Sequence, residues 1–492
     1  MTPLQFQEYA TQGFNQIPLM RTILADLETP LSAYMKLADG QYSYLFESVE
    51  GGEKWGRYSI IGLPSKTVIK VTGNDIVVQI NGETHEQIES ASPLDWVRDY
   101  AATFKTPNVD GLPLFTGGLV GYFGYETIHY IEPSVAGVKK PDPIGSPDIL
   151  LMVSKDVLVF DNVTNKLMII THVNPSDANA LENGLQQLIN IEEKLSTAKV
   201  CNTFGQTGQS TTQESDFKSG FTQEGFQAAV KTVKEHIVEG DVMQVVLSQR
   251  MTISYEAPSI DLYRALRCLN PSPYMYHLNL GDTDVVGSSP EILTRLENNE
   301  VTVRPIAGTR PRGKTREEDI ALEKDLLADP KECAEHLMLI DLGRNDAGRV
   351  SETGSVKLTD KMIIERYSHV MHIVSNVNGQ LKKGLDAVDV LEATFPAGTV
   401  SGAPKVRAMQ IIDDLEPVKR GIYSGAVGYV SWSGNLDTAI AIRTAVIKDG
   451  QLNIQAGAGI VHDSVPENEW AETMNKGRAI FKAVAMAQGG EL

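Results

Sequence analysis

The sequence predicts an α+β fold, and three patterns indicate it. Short runs rich in β-branched residues, separated by Gly, Asn and Asp, fill residues 1–200 and are typical of antiparallel strands. A polar segment rich in Gly, Gln, Thr and Ser follows at 201–217, and it predicts a linker or disordered loop. In residues 218–492 helical and strand patterns intermix, so a second, mixed region is predicted there.

Strands are predicted most clearly at residues 67–72, 75–80 and 156–160, where apolar β-formers are bounded by turn residues. The motif at 118–122, Gly-Leu-Val-Gly-Tyr, is also similar to Gly-Ala-Val-Gly-Tyr at 425–429. Small residues in a strand indicate the close approach of a neighbouring strand. We therefore expect related strands in the two halves of the chain.

Helical signals occur in three segments of the second region. Apolar residues within 226–237 recur at i, i+4, i+7 and i+11, and Gly240 is suited to end that helix. The segment from Glu332 predicts a second helix that runs into a polar turn at 341–346. Residues 470–486 have the apolar spacing of a packed third helix.

Two Glu-x-x-Glu pairs, Glu332/Glu335 and Glu469/Glu472, lie at these last two segments. The spacing places both carboxylates of a pair on one helix face. Oxygen ligands without Cys or His at metal spacing favour magnesium over zinc. Spacing alone, however, is more typical of a solvated helix face than of a metal site.

Between the two pairs the chain is unusually rich in Gly, Ser and Thr, at 396–405, 423–429 and 455–461. Small residues let backbone amides approach a ligand, and such amides bind anions. Each segment taken alone is equally well explained as a turn between strands. None matches a phosphate-binding loop or a dinucleotide fingerprint, so a nucleotide is not indicated.

The composition is that of an ordinary globular protein, with 492 residues, 42% hydrophobic and 22% charged. A net charge of −19 argues against nucleic acid or an anionic membrane as partner. Three scattered cysteines, Cys201, Cys268 and Cys333, provide neither a disulfide framework nor metal spacing. The N-terminus lacks signal-peptide features and no apolar run approaches membrane-spanning length, so we expect a cytoplasmic protein.

Several long motifs carry a resemblance. The segments at 303–313, 335–346 and 396–405 resemble those of the chorismate-utilising enzymes. Residues 45–48 and 270–275 are similar to the tryptophan-sensing motifs of one branch, the large synthase subunits of anthranilate synthases. The resemblance covers nearly the whole chain. It implies large antiparallel β-sheets in a sandwich with helices outside, a regulatory role for residues 1–200 and a catalytic, chorismate-binding role for 218–492.

The resemblance gives the paired acids a role as a magnesium site. It implies that Glu335 and Glu472 bind Mg²⁺ directly, and that Glu332 and Glu469 act through water or by orienting the direct ligands. Few protein ligands leave room for water and substrate, as magnesium requires. The ion would bind the ring carboxylate of chorismate and stabilise charge there.

Three further residues match catalytic positions of the family. Glu291 matches the general acid toward the departing hydroxyl, which requires a raised pKa. His372 is expected to assist the loss of pyruvate, and Thr399 to hydrogen-bond the substrate. Without the resemblance, Glu291 is more typical of a helix start after Pro, and His372 of a satisfied core residue on an apolar strand.

Arg443 interrupts an apolar segment that predicts a strand at 439–446, and a buried guanidinium needs an anion. The resemblance implies a contact with the enolpyruvyl carboxylate, helped by Tyr423 and by the backbone amides of Gly457, Ala458 and Gly459. From the strand alone, an ion pair with an acidic residue of the protein is equally consistent.

Two positions bear on the product. Relatives that form aminodeoxychorismate usually have Lys where this chain has Ala307, and relatives that add water usually have Lys where it has Gln244. With Ala307 in place of Lys, the chain lacks a covalent nucleophile, and with Gln244 in place of Lys it lacks a general base for water. Ammonia needs neither, so the resemblance favours anthranilate, with pyruvate as the second product, in the first committed step of tryptophan biosynthesis.

The expected ammonia source is a separate glutamine amidotransferase subunit, because the chain has no Gly-x-Cys-x-Gly elbow. The resemblance implies a heterotetramer of two synthase and two amidotransferase chains.

The resemblance also implies feedback inhibition by tryptophan, bound by Glu47, Ser48, Pro273, Tyr274 and Met275. We expect Glu47 to receive the ammonium group and Pro273 and Met275 to pack on the indole. Without the paired motifs, these segments are typical of a β-strand and an X-Pro turn.

Two other functions remain open at this point. Clustered acids with magnesium also serve phosphoryl transfer, although the phosphate loop is missing. A non-catalytic amino-acid-binding regulator is the second alternative, and the intact set Glu291, Glu335, Arg443 and Glu472 argues against it.

Overall fold

The structure is a computed structural model that describes residues 1–49, 56–137, 139–200, 204, 212–367 and 370–489. Within them, α1–α12 span Pro3–Thr11, Pro30–Leu37, Pro93–Ala102, Ile128–Ile131, Ala180–Thr197, Gln223–Glu239, Ser259–Leu269, Arg316–Ala328, Pro330–Val350, Ala387–Thr394, Lys405–Leu415 and Pro466–Ala487. Strands β1–β12 span Ile17–Leu24, Ser43–Glu47, Tyr58–Gly62, Thr67–Thr72, Asp75–Ile80, Glu83–Glu89, Gly118–Phe123, Ile149–Ser154, Asp156–Asp161, Lys166–Val173, Lys218–Ser219 and Gln244–Ser254. Strands β13–β24 span Tyr274–Asn279, Thr283–Ser289, Ile292–Glu297, Glu300–Val303, Ile306–Pro311, Lys357–Arg366, Val370–Gln380, Gly402–Ala403, Ala426–Ser431, Leu436–Ile440, Thr444–Lys448 and Gln451–Ile460.

The strands form two antiparallel sheets. The first, sheet A, has the order β1-β10-β9-β3-β2-β13-β14-β23-β24-β12-β11, with β20 also paired to β12. The second, sheet B, has the order β17-β19-β16-β15-β22-β21-β7-β8-β4-β5-β6, with β18 also paired to β19.

The two sheets pack face to face around a buried cluster that includes Tyr44 and Tyr276 of sheet A and Tyr122, Leu150 and Val427 of sheet B. Helices cover the outer faces, with α7 and α12 contributing to a core on sheet A and α3 and α10 to a core on sheet B. The predicted fold class, an α+β sandwich of large antiparallel sheets with helices outside, is therefore confirmed.

The local predictions hold at several elements. Strands β4, β5 and β9 lie where the alternation predicted them, and α6 ends at Gly240, whose φ is +85°. The two similar glycine motifs pair with each other as β7 and β21, so that Gly121 lies opposite Gly428. A Cβ added at either glycine would lie 2.0 Å from a carbonyl oxygen of the next strand, which explains the small residues.

The polar turn predicted at 341–346 is wrong, because α9 continues through it to Val350. The polar side chains there have partners that leave the helix intact. Asp346 is buried and accepts a hydrogen bond from Lys405 Nζ at 2.7 Å, and Gly343 packs against Val303.

Both sheets take strands from both sides of the predicted linker. Strand β2 pairs with β13 in sheet A, and β7 pairs with β21 in sheet B. The division into residues 1–200, 201–217 and 218–492 stays a prediction, and most of 201–211 lies outside the described residues.

Candidate active site

Two neighbouring segments cross from one sheet to the other, and each carries a predicted site residue. Strand β14 of sheet A leads through Glu291 into β15 of sheet B, and β22 of sheet B leads through Arg443 into β23 of sheet A. The crossings bond to each other, with Ser288 N donating to Arg443 O at 3.1 Å and Ile440 N to Glu291 O at 3.0 Å. Glu291 and Arg443 are thereby held side by side.

This arrangement corrects two expectations. No helix starts at Glu291, which lies between two strands, and the single apolar strand expected at 439–446 is two strands in different sheets. Arg443 lies in the break with φ +49°, a left-handed conformation that is costly for a residue other than glycine. Such strain is typical of functional positions.

The Arg443 guanidinium is not neutralised by direct pairing, since it forms no ion pair with any residue in the described part of the chain. Burial lowers the pKa of its guanidinium, while Tyr367 and Glu291 oppose that shift. A buried cation without a direct anionic partner is unfavourable, so the position is suited to an anionic ligand.

Glu291 is 6% exposed, and burial raises the pKa of its carboxyl to about 8. Thr399, the Ile306 amide, Arg443 and Lys476 all lie close enough to lower it partly. The Thr399 hydroxyl is itself buried and makes no well-aligned hydrogen bond with any described residue. Glu291 is therefore protonated near neutral pH, with the Thr399 hydroxyl beside it.

His372 lies on β19, and its tautomer follows from its contacts. Nδ1 lies 2.9 Å from the Gly308 carbonyl, which can only accept, so Nδ1 carries the hydrogen. Burial lowers the pKa of the imidazole to about 4, and Arg443 and Lys476 act in the same direction. His372 is thus neutral near pH 7, with Nε2 as a proton acceptor.

Sheet A opens beside these residues. Strand β23 pairs with β24 only as far as Ile454. Residues Gln455–Ile460 of β24 therefore pair with β12 but not with β23, and Arg443 lies just before the start of β23. The Tyr423 hydroxyl reaches this stretch, because a Cβ on Gly457 would lie 2.9 Å from it. The amides of Gly457, Ala458 and Gly459 belong to a strand paired with β12 rather than to a free turn.

Lys476 of α12, which the sequence patterns did not single out, also lies at this opening. Its Nζ donates to Gly457 O at 2.8 Å and forms an ion pair with Glu472 Oε1 at 2.8 Å. The i, i+4 spacing from Glu472 was the signal in the sequence that would have found it.

The four predicted metal-binding glutamates lie around the same opening. Glu332 and Glu335 are on α9, and Glu469 and Glu472 are on α12, all partly buried. Burial, and then the adjacent carboxylate of the pair, raises the pKa of Glu332. The pKa of Glu469 is raised by burial and by the nearby carboxylate of Glu472, and a hydrogen bond from Ser464 opposes the shift.

The donor set fits a magnesium ion, since all the groups are carboxylate oxygens and two of them carry unfavourable like-charge interactions that a cation would relieve. Within the described residues, no three of these carboxylate oxygens lie within 4.8 Å of one another. Gln244 Nε2 donates to Glu335 Oε1 at 3.1 Å, so one of the two positions expected to bear on the product contacts this set. Ala307 lies on β17 opposite Ile373, next to His372.

A separate cavity of about 330 Å³ lies between the sheets. All five residues predicted to bind tryptophan line it, namely Glu47, Ser48, Pro273, Tyr274 and Met275. Its size and its aromatic walls, with charged groups at the edge, are typical of a site for an amphipathic small molecule. Its aromatic and charged walls also include Phe46, Arg57, Tyr58, Phe115, Arg295, Glu297, Tyr429 and Asp437.

The Glu47 carboxylate is already bound from the helix side of sheet A. It accepts from Arg267 Nε at 3.0 Å and Nη2 at 3.2 Å, and from the Tyr263 hydroxyl at 2.5 Å. Its predicted role as receiver of an ammonium group therefore requires a change of partners or a contact through its backbone.

Arg295 and Asp437, which the sequence patterns missed, form the polar edge of this cavity. Tyr274 donates to Asp437 Oδ1 at 2.8 Å, and Arg295 Nη2 contacts both Tyr274 Oη at 2.9 Å and Asp437 Oδ2 at 3.0 Å. Arg295 lies on β15, the strand that begins one residue after Glu291.

Comparison with known proteins agrees with this geometry. Residues 48–482 match the family described as chorismate binding enzyme. The chain belongs to the chorismate-binding enzyme family. It is 58% identical to anthranilate synthase component 1 of Pseudomonas aeruginosa over 484 residues, covering 98% of each chain, and 51% identical to the Aquifex aeolicus protein of that name over 490 residues, covering 97% of this chain and 96% of that protein.

Solved structures give the same family. Anthranilate synthase component I from Streptococcus pneumoniae superposes with a TM-score of 0.77 at 40% identity, covering 93% of this chain and 99% of that one. The isochorismate synthase MenF of Escherichia coli has a TM-score of 0.70 at 20% identity, covering 98% of both chains, and so shares the fold. Within the described residues, none of the helices of this family member has the length and apolarity needed to cross a bilayer.

Proposed function

We propose that this chain is the synthase subunit of an anthranilate synthase, which converts chorismate and ammonia to anthranilate and pyruvate. The observation that carries the proposal is the paired sheet crossing, which holds Glu291, with its raised pKa, beside an Arg443 guanidinium that forms no ion pair with any described residue. Chorismate has a hydroxyl that must leave with a proton and carboxylates that need cationic partners, so the two groups match its chemistry.

In the proposed reaction, Arg443 binds the enolpyruvyl carboxylate, with the Tyr423 hydroxyl and the strand at Gly457 beside it. Glu291 gives its proton to the ring hydroxyl, and the ring C–O bond breaks so that water departs, while the lone pair of ammonia forms the new C–N bond and the resulting ammonium group releases one proton. His372 Nε2 would assist the second stage, in which the ring loses a proton and its C–O bond to the enolpyruvyl group breaks. The departing enolpyruvate takes up a proton to become pyruvate, and the ring becomes aromatic. Thr399 orients the substrate at Glu291.

Glu335 and Glu472 would hold Mg²⁺, with Glu332 and Glu469 supporting them. The ion would supply electrostatic stabilisation at the ring carboxylate. The protein's own contribution is to fix the two helices that carry the acids and to add Lys476 beside Glu472.

The absence of lysine at Ala307 and Gln244 supports ammonia as the nucleophile. We infer that ammonia comes from glutamine through a separate amidotransferase subunit, in a heterotetramer, because the names of the relatives designate a component 1. The proposed setting is tryptophan biosynthesis in the cytoplasm.

We also propose that tryptophan inhibits the enzyme from the inter-sheet cavity. The support is geometric, since five residues from two distant segments meet in a single cavity with aromatic walls. To inhibit, tryptophan must bind better to a less active arrangement, and a preference of about 1–3 kcal/mol is the usual coupling.

Incubation of the purified chain with chorismate, Mg²⁺ and an ammonium salt tests the proposal. Blue fluorescence and the mass of anthranilate are expected. Formation of isochorismate or aminodeoxychorismate instead would replace the proposal with another reaction of the family.

A further inference from the structure

Arg420 is a fully buried cation that the proposed chemistry does not use. It is 2% exposed and forms a two-point ion pair with Glu416, with Nε–Oε2 at 2.9 Å and Nη2–Oε1 at 2.6 Å. Glu416 follows directly after α11 and is 4% exposed. A buried pair of this kind seldom adds net stability over apolar residues, so its geometry is the more informative property.

The remaining donors of the guanidinium contact three different walls of the proposed active site. Nη1 donates to Val400 O at 2.7 Å and to Ser424 Oγ at 3.2 Å, and Nη2 donates to Val246 O at 2.8 Å. Each partner adjoins a site residue: Val400 follows Thr399, Ser424 follows Tyr423, and Val246 pairs with Gly459. One side chain thus connects three segments that are distant in sequence.

Glu416 extends the same connection on its own side. Its Oε1 accepts from Ser248 N at 2.8 Å and from Ser248 Oγ at 2.7 Å, on the strand opposite Gly457. The guanidinium also lies 5.5 Å from the centre of the Tyr423 ring. Ser424 has φ +66°, so the turn after Tyr423 is held in a strained conformation at the point of contact.

We propose that Arg420 is a positioning residue for the proposed reaction, which fixes Thr399, Tyr423 and the strand at Gly459 relative to one another. This inference rests on the proposed function. A planar guanidinium with five donors is needed to bind these five acceptor atoms of four residues at once, and a lysine ammonium, with three donors at a single nitrogen, cannot reach all of them.

The test is Arg420→Lys, which keeps the positive charge but removes the planar guanidinium with its five donors. Displacing substrate-binding groups by about 1 Å is expected to lower kcat/KM for chorismate by about 10²-fold, with about a tenfold rise in KM. A role in folding alone would reduce the fraction of active protein, and so lower the apparent kcat with KM unchanged. Arg98→Lys is the matched control, because Arg98 binds Asp389 on the far side of sheet B, and its KM should equal that of the wild type.

Ser424→Ala is the second test variant if Arg420→Lys does not fold. It removes the hydrogen bond from Arg420 Nη1 to Ser424 Oγ and retains the ion pair between Arg420 and Glu416. About a threefold rise in KM is expected from Ser424→Ala in folded protein. An unchanged KM in whichever of the two variants folds would overturn the positioning role while leaving the proposed function intact. A wild-type chain that forms no anthranilate would refute the proposed function itself.

Discussion

Glu291 is the residue whose environment bears most directly on the proposed chemistry. Burial raises its pKa from 4.5 to about 8, so near neutral pH it retains the proton that the proposed reaction would give to the departing hydroxyl. Between those pH values the folded state binds a proton that the unfolded chain releases. The contribution of Glu291 to the free energy of unfolding therefore decreases as pH rises from 4.5 to about 8.

The activity should follow the protonated form of Glu291. We predict that kcat is constant below pH 8 and declines above it, and that Glu291→Gln loses about 10²- to 10⁴-fold in kcat. The measurement is kcat for anthranilate formation across pH 6 to 10 with saturating ammonium. Glu300→Gln, an exposed change on β16, is the control and should behave as wild type. Retention of wild-type kcat in Glu291→Gln would exclude its role as the acid.

The paired glutamates give a second prediction at this scale. Glu335→Gln and Glu472→Gln should each lower activity about 10²-fold or more, because each change removes a negative ligand from the proposed ion. Titration of Mg²⁺ into metal-free protein should show weaker activation in both. Glu467→Gln, exposed in the first turn of the same helix as Glu472, is the matched control. Full turnover in the presence of excess chelator would contradict the metal assignment.

At the residue scale, the resemblance identified residues that the structure brings close together. For most of them, spacing and periodicity alone favoured a structural role, such as a solvated helix face or a buried core residue. Arg420 was not predicted because its role depends on contacts across the fold, and an arginine before a glycine has no pattern that distinguishes it from a surface residue. Lys476 had only its i, i+4 spacing from Glu472 as a signal.

At the scale of secondary-structure elements, the position of the proposed site depends on where strands cross between the two sheets. The apolar segment at 439–446 predicted one strand, and alternation alone cannot show that such a run changes sheets in its middle. The partial pairing of β23 with β24 is equally invisible in sequence, since it depends on register between strands. Strands with clear turns, such as β4 and β5, and the periodic α6 were predictable because local signals determine them.

The inter-sheet cavity gives the prediction at element scale. Ser48→Phe should fill part of this inter-sheet cavity and abolish inhibition by tryptophan, while leaving chorismate turnover near wild type. The measurement is turnover against tryptophan concentration. Ser176→Phe, in an exposed loop, is the matched control and should remain inhibited. Unchanged inhibition in Ser48→Phe would show that tryptophan does not inhibit from this cavity.

The cavity is also connected to the catalytic crossing through one strand. Arg295 binds Tyr274 and Asp437 at the edge of the cavity, and β15, which carries Arg295, begins next to Glu291. In the proposed inhibition, a ligand that displaces this network would act on Glu291 through β15.

The whole molecule is built on sheets that both halves of the chain share. Because β2 pairs with β13 and β7 with β21, the strand-rich first half forms part of the same sandwich that holds the site. The sequence predicted the α+β class from local patterns, whereas the order of strands depends on long-range pairing that local patterns do not contain.

The source of nitrogen belongs to this scale, since it concerns a second protein. We predict that the purified chain uses an ammonium salt and does not use glutamine, because it lacks a glutaminase nucleophile in a suitable elbow. Turnover is measured with each nitrogen source in turn, before and after addition of an amidotransferase subunit. Glutamine-dependent turnover by the chain alone, free of contaminating amidotransferase, would contradict the proposed partnership.

The most direct test of the central claim is the stoichiometry of the reaction. Chorismate consumed, anthranilate formed and pyruvate formed are measured in one mixture containing the wild-type chain, Mg²⁺ and an ammonium salt, with Glu291→Gln as the inactive control. The account predicts equal amounts of all three in the wild type. Consumption of chorismate without pyruvate, or with a non-aromatic product, would contradict it.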